Sequence, residues 1–187
     1  MQDYHDIIAE TLIDEHTLQK RIAELGAQIS RDYEGEDLLL ICILRGGLVF
    51  LVDLMRQITV PHAMDCMALT SYGVGARESS GNIRMSLDLQ TNIAGKNVLL
   101  VEDIVDSGHT LFHVLSLLAT RKPKSLNVVA LLDKEERREV EVPIQYVGFT
   151  IPNKFVFGYG LDLDEYYRNL PFVGVVRPDA FALADES

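Results

Sequence analysis

The stretch that most restricts what this chain can fold into is Val98-Leu99-Leu100-Val101-Glu102-Asp103-Ile104-Val105-Asp106-Ser107-Gly108-His109-Thr110-Leu111. It opens on an apolar run with β-branched members, the pattern of a strand buried on both faces. Two adjacent acids follow, then the small polar loop Asp106–Thr110, then Leu111, Val114, Leu115 and Leu118 at helical spacing. The order is strand, acidic edge, loop, helix N-terminus. A loop of small residues at a helix start presents unpaired N–H groups and the positive end of the helix dipole, which suits a phosphate. Ser107 and Thr110 add hydroxyl donors, and Gly108 lets the backbone come close. Glu102 and Asp103 would repel a phosphate, so they suit a polyhydroxyl group or a metal ion beside it. By spacing alone, the same residues also make an ordinary strand–helix turn with a polar cap.

The flanking chain repeats the strand–helix alternation. Leu18, Ile22, Leu25 and Ile29 predict an amphipathic helix from Asp14, its N-cap, to about Tyr33. Leu38–Leu44 reads as a buried strand ending in Arg45-Gly46-Gly47, with a helix to about Gln57. That glycine turn is either a tight strand–helix connection or a second anion loop, with Arg45 and nearby amides facing a diphosphate. Ala63–Leu69 predicts another strand. The glycine- and serine-rich residues from Gly73 to Arg84 predict an active-site loop or a plain surface loop. Met85–Leu89 reads as a short returning strand, and the helix after the central loop should end near Lys122-Pro123. Ser125–Leu132 predicts a buried strand that stops at Asp133-Lys134-Glu135-Glu136-Arg137-Arg138. Most of that charged run is expected to be a solvated turn. Lys134 stands apart, because open α/β sheets bind ligands at strand ends. Ile144–Phe149 and Phe155–Gly158 are the last strand-like pieces, followed by the acidic, aromatic turn Asp162–Asn169. Tyr166, Tyr167 and Phe172 in and after it are expected in the core or an interface. The whole pattern predicts one α/β domain with a mainly parallel sheet flanked by helices.

Charge limits the partners. The 187 residues carry a net charge of −11, which disfavours nucleic acid and anionic membranes. No apolar run has the length of a membrane span, and residues 1–6 lack a signal-peptide pattern, so a cytoplasmic protein is expected. Cys42 and Cys66 lie in apolar runs and are expected as reduced thiols, Cys42 and Cys66 alike buried.

The central stretch resembles the phosphoribosyl-diphosphate motif of the type I phosphoribosyltransferases. Leu44-Arg45-Gly46-Gly47, Ser71-Tyr72, Leu132-Asp133-Lys134 and Ile151-Pro152-Asn153-Lys154-Phe155-Val156-Phe157-Gly158-Tyr159-Gly160-Leu161-Asp162 add matches in the right order, and the likeness is to members acting on 6-oxopurines. The resemblance implies a core at about 35–150, a small hood from about 1–15 and 151–187, and a mobile loop at about 71–84 that includes Ser71 and Tyr72. It implies transfer of a phosphoribosyl group from phosphoribosyl diphosphate to hypoxanthine, and to guanine, with release of pyrophosphate. Asp106 would accept a proton from the purine, and Asp106, Ser107, Gly108, His109 and Thr110 would wrap the 5′-phosphate. Glu102 and Asp103 would hold the ribose hydroxyls and Mg²⁺, and Asp162 would meet a second Mg²⁺. Arg45 and Gly46, across a cis peptide after Leu44, would bind pyrophosphate together with Arg168. Lys134 would donate to the 6-oxo group, Phe155 would stack on the base, and Val156 and Asp162 would lie at its edge. Mg²⁺ follows from charge balance too, since an acidic protein must bind a highly anionic sugar. The implied assembly is a homodimer or homotetramer. Rival expectations are a transferase for xanthine or a pyrimidine, a nucleotide-binding regulator, and a plain nucleotide-binding module. Arg45 replaces a lysine common in relatives, and His109 is expected to face solvent.

Overall fold

Strand and helix alternate through a computed structural model that describes residues 3–72 and 82–178, without the side chains of 70–83. The elements are α1 (Tyr4–Ile7), β1 (Ile8–Ile13), α2 (Glu15–Asp32), β2 (Leu38–Leu44), α3 (Gly47–Gln57), β3 (His62–Tyr72), β4 (Asn82–Leu87), β5 (Asn97–Val105), α4 (His109–Ala119), β6 (Ser125–Asp133), β7 (Tyr146–Thr150), β8 (Val156–Phe157) and β9 (Val173–Val176). Asp14 caps α2 by accepting from the Thr17 N–H at 2.7 Å.

The main sheet has six strands in the order β4-β3-β2-β5-β6-β7, with only the β3–β4 pair antiparallel. Its strands alternate between two buried faces. Leu38, Leu40, Cys42, Leu99 and Val101 pack with Leu18, Ile22, Leu25 and Ile29 of α2 and Phe50, Leu51 and Leu54 of α3. Leu39, Ile41, Val98 and Leu100 pack with Leu111, Val114 and Leu118 of α4 on the other side. Burial on both faces is what the uninterrupted apolar runs require. Strand order places the site. From β2 the chain moves outward through β3 and β4, then returns to β5 beside β2 and moves outward the other way. Such a reversal opens a crevice at the carboxyl ends of the two central strands. A second, three-stranded antiparallel sheet, β1-β9-β8, draws together both ends of the described chain over a small cluster of Ile7, Phe157, Leu170 and Val176.

Several boundaries differ from the sequence reading. β5 does not stop at the acids but runs to Val105, because its ladder with β6 continues through Glu102↔Ala130 and Ile104↔Leu132. α4 ends at Ala119 rather than near Lys122, which takes a left-handed φ of 56° just before Pro123. The charged run after β6 is not wholly solvated. Asp133 and Lys134 are buried, and Asp133 Oδ1 accepts from Arg138 Nη2 in a pair with both side chains largely covered. Tyr166 is about half exposed, outside any core. Cys42 and Cys66 face each other in the β2–β3 register as free thiols, Cys42 buried and Cys66 only partly. Among the described residues, no helix is long and apolar enough to cross a membrane.

Candidate active site

Three strand ends supply the floor of one cleft of about 640 Å³: Leu44 with Gly46 after β2, Glu102 to Val105 on β5, and Lys134 after β6. The loop Asp106–Gly108 with Thr110 forms one wall. Asn153, Phe155, Val156, Leu161 and Asp162 come over the top from the segment around β8.

The phosphate-type loop is built by close backbone approach. Gly108 has φ +91°, and a Cβ there would meet the carbonyl of Val140. The Glu139 and Val140 N–H groups both donate to Ser107 O, at 2.9 and 3.0 Å, and Arg138 Nη1 donates to Asp106 O at 3.1 Å. Residues 138–140 thus clamp the loop from behind. α4 begins at His109, so the amides of its first turn have no helical carbonyl to bind and face the cleft end of the helix. The His109 side chain does not join them. Its Nε2 lies 2.9 Å from Glu139 Oε2, so the imidazole is turned to the back of the loop, and only the backbone N–H of His109 is left at the helix start.

Asp106 is the pivot of the cleft. Lys134 Nζ stands 3.4 Å from Asp106 Oδ2, and the lysine side chain is only 8% exposed. Arg137 Nε stands 3.0 Å from Oδ1 but is not aligned as a hydrogen bond, so among the described residues this buried oxygen has no donor. A buried acceptor without a donor is costly unless a ligand supplies one. Nothing in the charged run singled out Arg137. Only the turn after β6, which swings it back over Asp106, separates it from its neighbours.

The acid pair is short of positive charge. Burial, and then the charge of Asp103, push the Glu102 carboxyl well above its ordinary value. Burial also pushes Asp103 up to about 6, against the Ile104 N–H bond at 2.9 Å and the charge of Arg168, while Asp162 repels it. A divalent cation would relieve this crowding, and the all-oxygen donors suit a hard ion. Among the described residues no three such groups stand together as a ready metal cage, so Glu102, Asp103 and Asp162 are not assembled around one point. Magnesium sites commonly use one or two carboxylates and take their remaining oxygens from substrate and water.

Gly46 fits against this pair. A Cβ at position 46 would overlap the Asp103 carboxylate, so glycine lets the β2 turn and the β5 acid share the crevice without a shift of that side chain. The Leu44–Arg45 peptide is cis. The Arg45 side chain points away from the floor to Glu165, at 2.5 Å, and is 71% exposed. Arg168 donates from Nη1 to Gly160 O at 2.9 Å and pairs through Nη2 with Asp162 Oδ1 at 2.9 Å. Phe155 borders the cleft with 46% of its surface exposed, and the next residue, Val156, is buried. Backbone pairing with β4 includes Ser71 and Tyr72, but their side chains and residues 73–81 lie outside the described residues.

Compared with known proteins, residues 9–164 match the phosphoribosyl transferase domain family. The hypoxanthine phosphoribosyltransferase of Salmonella typhimurium is 48% identical over 89% of this chain and 94% of its own. The bifunctional protein TilS/HprT of Listeria monocytogenes is 42% identical over 97% of this chain, which spans only 28% of that longer protein. The crystal structure of a hypoxanthine phosphoribosyltransferase from Staphylococcus aureus superposes with a TM-score of 0.91 at 42% identity, covering 95% of this chain and 96% of that one. Sequence, strand order and cleft therefore agree, and the chain belongs to the phosphoribosyl transferase domain family.

Proposed function

We propose that this chain transfers the 5-phosphoribosyl group of phosphoribosyl diphosphate to hypoxanthine, and to guanine, forming IMP or GMP and pyrophosphate in purine salvage. The observation that carries this reading is the meeting of Asp106, Lys134 and the Glu102–Asp103 pair in one cleft beside a helix N-terminus.

The positions of the residues support the following roles. The amides at the start of α4, with Ser107 and Thr110, bind the 5′-phosphate, and the acid pair faces the ribose hydroxyls. A divalent cation, magnesium by charge balance, would be held by Glu102 and Asp103 with Asp162 near, and would supply positive charge to the sugar and its diphosphate. Arg45, Gly46 and Arg168 bind the pyrophosphate as it leaves. Phe155 stacks on the purine and Val156 and Asp162 meet its edge, which aligns the base for attack. Asp106 Oδ1, the buried acceptor, takes the imidazole proton as the glycosidic bond forms. Lys134 gives a permanent donor to the 6-oxo group. Facing the amino group of adenine it would be left unmet in a dry site, which is expensive.

The test is steady-state kinetics with hypoxanthine, guanine, xanthine and adenine, each with and without Mg²⁺. The expected result is Mg²⁺-dependent pyrophosphate release with hypoxanthine and guanine and none with adenine. Adenine turnover as fast as that of hypoxanthine would overturn the reading, and xanthine as the best base would move it to a sister specificity.

A further inference from the structure

Arg45 and Arg168 come from distant parts of the chain, one after β2 and one between β8 and β9. Their guanidinium groups nevertheless end on a single atom. Glu165 Oε2 lies 2.5 Å from Arg45 Nη1 and 3.3 Å from Arg168 Nη2. We propose that the Glu165 carboxylate is an internal stand-in for pyrophosphate, occupying the two cations between turnovers and competing with the diphosphate for them. The inference rests on the reading of Arg45 and Arg168 as the pyrophosphate clamp.

The turn is shaped to bring this carboxylate there. Asp164 and Glu165 both take left-handed backbone, with φ of 50° and 71°, uncommon for residues with a side chain. The Glu165 N–H is tied to Asp162 Oδ2 at 2.9 Å. Arg168 does not need Glu165 for its placement, since Gly160 O and Asp162 already hold it. Arg45 differs: its ion-pair partner is Glu165, 120 positions away in the chain. The Arg45 and Glu165 side chains are 71% and 59% exposed, so the contact is weak and a more highly charged anion can replace it. Two costs then fall on an arriving diphosphate. The carboxylate must let go of Arg45, and its negative charge remains close by. Glu165 is in this sense a positioning residue that keeps pyrophosphate from binding too tightly to leave.

The experiment is calorimetric titration of magnesium pyrophosphate into the full chain and into Glu165→Gln, with KM measured for both substrates. The expected result is pyrophosphate binding tightened by about two- to tenfold. KM for phosphoribosyl diphosphate should fall in parallel, with KM for hypoxanthine unmoved. A purely structural role would lower thermal stability and weaken both substrates together, without this split. Glu165→Asp keeps the charge but retracts it from Arg45, and serves as a second variant, expected to fall between wild type and Glu165→Gln. Unchanged or weaker pyrophosphate binding in both variants overturns the proposal. Arg45→Gln separates the two readings. Weak binding there with no tightening in the Glu165 variants rejects only the competition, whereas wild-type binding in Arg45→Gln rejects the clamp itself.

Discussion

At the scale of single residues, the site depends on a few atoms whose surroundings are incomplete without a ligand. Among the described residues Asp106 Oδ1 is buried and lacks a hydrogen-bond donor, with Arg137 Nε 3.0 Å away but misaligned and Lys134 against the other oxygen, Oδ2, at 3.4 Å. Asp106→Asn keeps the shape and removes the proton acceptor proposed for the purine. Its expected outcome is a kcat lower by about 10²–10⁴-fold with little change in KM for phosphoribosyl diphosphate, measured by pyrophosphate release. Lys134 stood out in the sequence because it lies at the end of an apolar strand, and Asp106 because it opens the small polar loop of the central motif. Arg137 did not. In a run of charges every side chain reads as solvated, and only the turn geometry decides which one comes back over the cleft. His109 shows the opposite case: it sits within the motif but pairs with Glu139, a residue 30 positions away.

At the scale of elements, the connections matter as much as the strands. Asp65 on β3 gathers the turn that leads into β5, accepting from Gln90 N–H at 2.9 Å, Thr91 N–H at 2.8 Å and its neighbour Cys66 N–H at 2.8 Å. Burial works against its charged form, but the donors from Thr91, Cys66 and Gln90 outweigh it and hold the carboxyl below its ordinary value of 3.8. The native state therefore binds fewer protons than the unfolded chain near that value. The stabilisation from Asp65 is fully present above pH 3.8 and is lost as pH falls through the lower native value. Asp65→Ala should cost about 1–3 kcal/mol at neutral pH, with the gap to wild type closing in acid, as followed by urea unfolding across pH. The apolar runs made β2, β5 and β6 readable as strands because both their faces are buried. The extension of β5 past its acids was hidden, since a ladder partner, and not local composition, keeps those residues extended.

At the scale of the whole molecule, two sheets must hold their relation for the cleft to keep its shape. The segment that carries Phe155, Val156 and Asp162 is anchored to α3 by Tyr159, whose hydroxyl donates to Asp53 Oδ2 at 2.6 Å beside a second donor, Gln19 Nε2, at 3.0 Å. Tyr159→Phe should lower stability by about 1–3 kcal/mol and shift the urea midpoint with no change in its slope. Nothing near Tyr159 in the sequence points to Asp53 or Gln19, and nothing near residues 8–13 points to β9. Contacts between distant segments carry no local periodicity, so the small sheet could be anticipated only by resemblance, whereas the parallel sheet followed from pattern. The single missing methyl at position 46 has a consequence for how such a chain can drift over generations. There the turn after β2 and the Asp103 carboxylate occupy one shared volume, so a side chain at this position must push that carboxylate aside. A larger residue at position 46 therefore comes with a shifted Asp103, whereas a replacement at position 109, turned to the back of the loop, leaves the acid pair where it is.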